Sequence, residues 1–142
     1  MRRDPALAAY VALTLLLLWS AADRWAPYHG AAAACRVGHV IDGDTVELRC
    51  GAERRSARLV GVDTPETHDP KCPAEAALGR KATERLRALL AAGPVAVFRQ
   101  GFDKYRRDLV VLTVAGRDVG AVLVAEGLAR AYHGGARGGW CG

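Results

Sequence analysis

Apolar and polar residues alternate along most of the chain after residue 34, and their periods predict short strands interrupted by one long helix. Five segments have the length and the apolar pattern of strands: 35–41, 44–50, 56–62, 95–99 and 109–114. Residues 74–92 instead place apolar side chains on one face at helical spacing, and Gly93-Pro94 follows as a helix terminator. A second, short helix is expected from about residue 118 to residue 126.

The order of these elements indicates the fold class. Three strands, a helix, two strands and a helix are the order of an OB-fold, so we expect a mainly β domain with helices, built on a five-stranded barrel. Asp42-Gly43, between the first two strands, is interpreted as a two-residue hairpin turn, because such turns need positive φ angles that aspartate and glycine tolerate. That turn would set Cys35 directly opposite Cys50, as a hydrogen-bonded pair with Cα atoms about 5.5 Å apart.

The first 34 residues differ from the rest, and we separate them from a domain at residues 35–142. Arg2 and Arg3 precede an apolar run over residues 5–22, whose length lies between a signal-peptide core and a membrane span of about 20 residues. We expect residues 1–34 to be a signal peptide or a single membrane anchor, followed by a linker. The chain is then exported to the periplasm or the cell exterior, either secreted or anchored to the inner membrane by residues 5–22.

Export changes how the four cysteines are interpreted. An even number of cysteines in an exported domain suggests two disulfides, and the sequence has no CxxC or Cys/His spacing of the kind that binds zinc. The predicted hairpin register pairs Cys35 with Cys50, within reach of a disulfide. Cys72 and Cys141 then pair by elimination, which would tie the C-terminal tail to the start of the long helix.

Three short segments carry acidic and basic side chains suited to phosphate chemistry: 42–45 (DGDT), 58–67 (RLVGVDTPET) and 103–107 (DKYRR). If the second and third strands pair, the carboxylates of Asp44 and Asp63 can converge on one hard cation. Calcium accepts such carboxylates together with a backbone carbonyl, for which Thr64 is placed. A partly hydrated ion there would neutralise a phosphate oxygen and hold a water molecule.

Other side chains of the same segments supply the remaining chemistry. Glu66 can act as a general base or orient the attacking water. Arg58 and Arg107 carry planar, permanently charged guanidinium groups that suit a phosphate in the transition state. This combination describes in-line attack on a phosphodiester, and the net charge of +5 is compatible with a polyanionic partner.

In their order around a helix, the three segments resemble those of the staphylococcal nuclease (thermonuclease) family, and the similarity covers about residues 37–132. The resemblance implies a staphylococcal nuclease-like OB-fold domain at residues 35–142 that cleaves DNA and RNA with calcium; we expect it to act as a monomer. Carried over position by position, the resemblance implies that Arg58, Glu66 and Arg107 are catalytic. It also implies that Asp44, Asp63 and Thr64 are metal ligands and that Tyr105 binds the substrate.

One position departs from the family pattern. The family usually has glycine just before its second arginine, where this chain has Arg106. The spacing from Asp103 and Tyr105 favours Arg107 as the arginine that faces the phosphate. Arg99, Arg106 and Arg117 are expected to be solvated surface charges.

An alternative function remains on the same fold. A non-catalytic module that binds nucleic acid or acts as a scaffold could use the same barrel. Such modules usually lack the acidic ligands or the glutamate, and this chain retains Asp44, Asp63 and Glu66. A purely structural barrel would leave these residues unexplained, so a calcium-dependent nuclease is the preferred prediction.

Overall fold

The computed structural model describes residues 10–18 and 35–142. Residues 10–18 form a helix, α1, within the apolar run predicted as a signal peptide or anchor. The rest of that run and the linker lie outside the described residues, so the assignment of residues 1–34 stays a prediction. No helix in the described ranges is both long enough and apolar enough to cross a membrane.

A curled sheet and two helices form the domain. The elements after α1 are β1 (Arg36–Val40), β2 (Thr45–Cys50), β3 (Glu53–Leu59), β4 (Val62–Asp63), α2 (Pro73–Ala91), β5 (Val95–Phe102), β6 (Asp108–Val114), β7 (Arg117–Asp118), α3 (Val119–Ala125) and β8 (Arg130–Ala131). The main sheet has the order β1-β2-β3-β6-β5, with β7 paired to β6, and β3 and β6 run parallel. Since the outer strands β1 and β5 contact each other, the sheet curls into an open half-barrel, which confirms the predicted OB-like class.

The core lies inside this curled sheet, beneath the two helices. Its side chains come from the faces that the sequence pattern predicts, and the larger ones are fully buried: Val46, Leu48, Leu86, Val97, Val110, Leu112, Val119 and Leu123. Helix α2 begins with Pro73, and proline is tolerated there because N–H groups in the first turn have no acceptor within the helix. The sulfur of Cys72 accepts a hydrogen bond from the Glu75 N–H. The core thus fixes α2 beside the turn between β1 and β2, where the first acidic segment lies.

The turn between β1 and β2 differs from the predicted two-residue turn. The N–H groups of Ile41 and Asp42 both donate to the Thr45 carbonyl, at 2.9 and 3.2 Å, so the turn extends over residues 42–44. Neither Asp42 nor Gly43 has a positive φ. Gly43 has another reason to be glycine: an added Cβ would lie 2.9 Å from the Cβ of Ala82 in α2.

The predicted disulfide at the open end of this hairpin is nevertheless present. An irregularity between Val37 and Val40 compensates for the longer turn, so Val37 faces Leu48, as a two-residue turn would require. Cys35 and Cys50 are bonded, with Cα atoms 4.2 Å apart. The expected spacing of about 5.5 Å was wrong: the observed 4.2 Å matches the closer approach that is typical of a non-hydrogen-bonded pair.

The predicted third strand is divided in two. β3 ends at Leu59, the chain turns at Val60-Gly61, and β4 then pairs with β8 near the C-terminus, with Asp63 facing Arg130. The Cys72–Cys141 disulfide is formed as predicted, with Cα atoms 6.1 Å apart. Together these contacts bring the end of the chain beside the acidic turn that follows β4.

Candidate active site

The three chemically suited segments meet at one cleft of about 500 Å³. Its lining includes all but one of the predicted site residues: Asp44, Arg58, Thr64, Glu66, Tyr105 and Arg107. Asp63 lines an adjoining cleft of about 310 Å³, which shares Thr64 and Glu66 with the first. The structure therefore brings the whole predicted set to one region of the surface.

Arg58 bridges the two predicted metal ligands. Strand pairing sets Arg58 opposite Thr45, and the Leu59 N–H donates to the Asp44 carbonyl at 2.8 Å. Arg58 Nη1 lies 2.7 Å from Asp44 Oδ2, and Nη2 lies 3.5 Å from Asp63 Oδ1. Arg58 is 7% exposed and each aspartate 4%, so this ionic cluster is almost fully removed from water.

The electrostatics of the cluster favour additional positive charge. Burial raises the pKa of Asp44, and the Arg58 guanidinium and the Thr45 hydroxyl, which donates a 2.9 Å hydrogen bond to Asp44 Oδ1, only partly oppose this rise. Asp63 Oδ1 is buried without a hydrogen bond. A pair of buried carboxylates with an unsatisfied oxygen is a donor set that fits a hard divalent cation, so these residues suit the metal that the sequence predicts.

Glu66 lies at the rim of the cleft on a loop braced by α2. Its Oε1 accepts hydrogen bonds from the N–H groups of Thr67 and His68, at 2.9 and 3.1 Å, and its side chain is 47% exposed. Buried Glu75 holds the loop from behind, because its carboxylate accepts bonds from the N–H groups of Glu66, at 3.4 Å, and Lys71, at 2.7 Å. Glu75 was not predicted from the sequence, although an acidic residue in the first turn of a helix is a recognisable signal.

Close packing of the loop against α2 also requires a small residue in the helix. A Cβ at Gly79 would lie 2.8 Å from the Pro65 carbonyl oxygen and 2.9 Å from Thr67 Cγ2. Glycine inside a helix is unfavourable by roughly 1 kcal/mol relative to alanine. Its presence here lets the backbone that carries Glu66 lie directly on the helix.

The turn between β5 and β6 presents Arg107. Asp103 Oδ1 accepts hydrogen bonds from the N–H groups of Tyr105 and Arg107, both at 2.9 Å, and Asp103 Oδ2 accepts one from Arg107 Nε at 2.7 Å. Burial alone would raise the pKa of Asp103, but these hydrogen bonds outweigh it and lower the pKa. The Arg107 guanidinium lies 5.5 Å from the centre of the Tyr105 ring. Of the two arginines in this turn, Arg107 lines the cleft and the exposed Arg106 does not.

One of the three arginines expected to be solvated is not. Arg99 forms an ion pair with Asp108, and Arg99 Nε donates to Asp108 Oδ1 at 2.7 Å. Asp108 is buried at the start of β6, where a carboxylate requires a charged partner. Arg106 and Arg117 are exposed, as predicted.

The C-terminal tail, residues 132–141, contributes side chains to the site that sequence analysis did not identify. Arg137 Nε lies 3.2 Å from Asp63 Oδ1, and Trp140 Nε1 donates a 3.3 Å hydrogen bond to Asp63 Oδ2. Arg137 and Tyr132 also line the first cleft. The tail has no periodic pattern, and the signal that could have placed it was the predicted Cys72–Cys141 disulfide.

Comparison with known proteins gives consistent similarities. A profile of the family described as "Staphylococcal nuclease homologue" matches residues 56–137. The chain is 37% identical over 96 residues to the endonuclease YncB of Bacillus subtilis (strain 168), which covers 66% of this chain and 45% of that protein. It is 34% identical over 98 residues to the thermonuclease of Staphylococcus hyicus, covering 68% and 57% of the two chains. It is 29% identical over 137 residues to the micrococcal nuclease of Shigella flexneri, covering 90% and 71%. The chain thus spans about half the length of the first two relatives.

Proposed function

The chain belongs to the family of staphylococcal nuclease homologues, and from this premise we propose that it is a calcium-dependent nuclease that hydrolyses phosphodiester bonds of DNA, RNA or both. The observation that carries the proposal is the meeting of two buried carboxylates, an exposed glutamate and two arginines at adjoining clefts. Asp44, Asp63 and the Thr64 carbonyl would hold the ion. When bound, the ion would supply positive charge that offsets the negative charge on the phosphate.

Glu66 is the proposed general base. Its Oε1 is occupied by two backbone N–H groups, which fixes the carboxylate and leaves Oε2 for a water molecule. As the water oxygen bonds to phosphorus, the water proton passes to Glu66. The leaving oxygen departs with the electron pair of the broken P–O bond and takes a proton from solvent.

The two arginines would stabilise charge on the phosphate. Arg107 is held through Nε by Asp103, so its two Nη groups are available to a phosphate oxygen. Arg58 lines the same cleft while it holds the two aspartates together. Tyr105, 68% exposed beside Arg107, is placed to contact the substrate.

The proposed location is outside the reducing cytoplasm. Two disulfides support this, because such bonds persist mainly in the periplasm or outside the cell. Residues 1–34 would direct the export, either as a signal peptide that is removed or as a membrane anchor that is retained.

Digestion of a labelled single-stranded DNA oligonucleotide by the full chain, with calcium or with EDTA, tests the function. We expect cleavage with calcium and none with EDTA. Glu66→Gln should lower the rate by about 10²–10⁴-fold, because the proton acceptor is lost. Glu84→Gln, at an exposed position of α2, is the matched control and should cleave like the wild type. Binding of the oligonucleotide without cleavage in calcium would instead identify a non-catalytic binding module.

A further inference from the structure

We propose that Arg137 is a metal-responsive phosphate-binding residue, which neutralises Asp63 in the metal-free protein and turns to a substrate phosphate when a divalent cation binds. The inference rests on the proposed function, since it needs both a cation and a phosphodiester at this site. It assigns a role to the C-terminal tail.

The contact between Arg137 and Asp63 has the character of a replaceable ion pair. Arg137 Nε is 3.2 Å from Asp63 Oδ1, yet this buried oxygen has no hydrogen bond, so charge rather than directed bonding holds the pair. The Arg137 side chain is 46% exposed, whereas Asp63 is only 6% exposed at its side chain. A half-exposed guanidinium can leave this contact at little cost in desolvation.

A divalent cation would compete directly with Arg137. Both positive groups would lie beside the Asp63 carboxylate, and like charges that close to each other repel. Arg58 cannot withdraw in the same way, because it is buried and also pairs with Asp44 at 2.7 Å. Arg137 is therefore the guanidinium that moves.

The position of Arg137 gives the displaced guanidinium a defined destination. It lines both the cleft that contains Asp63 and the cleft that contains Arg107 and Tyr105. A phosphate held there would offer the anionic oxygens that a planar guanidinium binds best. Arg137 would then bind the substrate together with Arg107.

The tail is anchored on both sides of Arg137. At one end the Tyr132 N–H donates to the Gly61 carbonyl at 2.9 Å, and the Tyr132 hydroxyl donates to the Gly135 carbonyl at 2.8 Å. At the other end, Cys141 is bonded to Cys72, and the Arg130 guanidinium stacks 3.8 Å from the centre of the Trp140 ring. Arg137 lies between these anchors, so the disulfide keeps it at the site, and its guanidinium also lies 5.6 Å from the centre of the Tyr132 ring, on the side of the first cleft.

Two equilibrium measurements test the proposal with opposite expected signs. In the full chain, Arg137→Gln should bind calcium several-fold more tightly by calorimetry, because a competing cation is removed. In a Glu66→Gln background that prevents cleavage, the same substitution should weaken binding of a fluorescent single-stranded oligonucleotide in calcium by about tenfold, since one charge-assisted contact is lost. Arg137→Lys retains the charge and should leave the calcium affinity near that of the wild type.

The controls separate this role from a structural one. Arg117→Gln removes an exposed arginine outside both clefts and should change neither affinity. Removing the anchor with Cys72→Ala and Cys141→Ala should weaken oligonucleotide binding as Arg137→Gln does, whereas Cys35→Ala with Cys50→Ala should not.

Several outcomes would overturn the proposal. It is wrong if Arg137→Gln leaves both affinities within twofold of wild type, or if both affinities fall together, as a general disturbance of the site would cause. If the wild-type chain binds no calcium, the metal site and this inference fail together. If the wild-type chain binds calcium and cleaves DNA while the Arg137 variant behaves like Arg117→Gln, only this inference fails.

Discussion

Arg106 occupies a backbone position that favours glycine. Its φ is 63°, in the left-handed region, immediately after a turn in which the Arg106 N–H donates to the Asp103 carbonyl at 3.0 Å. A left-handed residue after such a turn is a common way to close a hairpin, and glycine is the usual residue there. The arginine therefore strains the same loop that presents Arg107.

Replacing this residue should stabilise the protein. A side chain in the left-handed region costs about 1–2 kcal/mol, and glycine offsets part of that gain by adding freedom to the unfolded chain. We expect Arg106→Gly to raise the free energy of unfolding by about 0.5–1 kcal/mol, measured by urea denaturation. Lys104→Gly, in the same turn but without a positive φ, should instead lower it. A loss of stability in Arg106→Gly would show that the strain is absent.

Helix α2 positions the site through close contacts with two loops. Gly43, in the turn at residues 42–44, packs against Ala82 of the helix, and Gly79 of the helix packs against the Pro65 carbonyl. Thr64 also packs against Gly43, because a Cβ at Gly43 would lie 2.9 Å from Thr64 Oγ1. One helix face therefore sets the distance between the segments that carry Asp44 and Glu66.

A methyl group at the first contact should force these elements apart. We expect Gly43→Ala to lower the free energy of unfolding by about 1–3 kcal/mol through overpacking, and to lower cleavage activity as well. Gly93→Ala is the control, because its added Cβ would lie at an ordinary 3.5 Å from Val114 Cγ1.

The double variant Gly43→Ala with Ala82→Gly identifies the contact responsible. In the Ala82→Gly background the cost of Gly43→Ala should be smaller, since one of the two neighbours is removed. An equal cost in both backgrounds would contradict the packing argument.

The two disulfides constrain chain loops of very different length. Cys35–Cys50 spans a sequence separation of 15, and Cys72–Cys141 spans 69. In the chain-entropy model, these bonds contribute about 3 and about 4 kcal/mol respectively.

Removal of each bond should therefore have unequal effects on stability. We expect Cys72→Ala with Cys141→Ala to lower the free energy of unfolding by about 1 kcal/mol more than Cys35→Ala with Cys50→Ala. Urea denaturation without calcium measures this difference independently of metal binding. The reverse order would show that native contacts at β1 and β2 outweigh the loop-entropy effect.

The sequence contained enough information for the longer strands, the long helix and the disulfides, but not for the two-residue strands or for every turn. Val46, Leu48 and Leu86 could be placed because burial repeats with the period of their element. The turn at Gly43 was misassigned because a glycine required for close packing looks the same in sequence as one required for a positive φ.

The candidate site was predictable in part for a similar reason. Asp44, Arg58 and Glu66 lie in short segments whose residue types suit one chemistry, so they could be identified together. The contacts that Arg137 and Glu75 make at the site could not be predicted in the same way, because they depend on β4 pairing with β8 and on one helix touching one loop. A strand of two residues is too short to show a periodic pattern of apolar residues, so contacts that such strands make between distant parts of the chain cannot be recognised in the sequence.

The hydrogen bond from Trp140 to Asp63 places a natural fluorophore at the site. Trp140 is the single tryptophan in residues 35–142, and the other two, Trp19 and Trp25, lie before the domain. Indole emission responds to the charge and polarity around the ring, and this ring is bound both to a proposed metal ligand and to the Arg130 guanidinium. With phenylalanine at positions 19 and 25, emission excited at wavelengths that the four tyrosines do not absorb would come from Trp140 alone. Ion binding and tail movement could then be followed in real time without a dye.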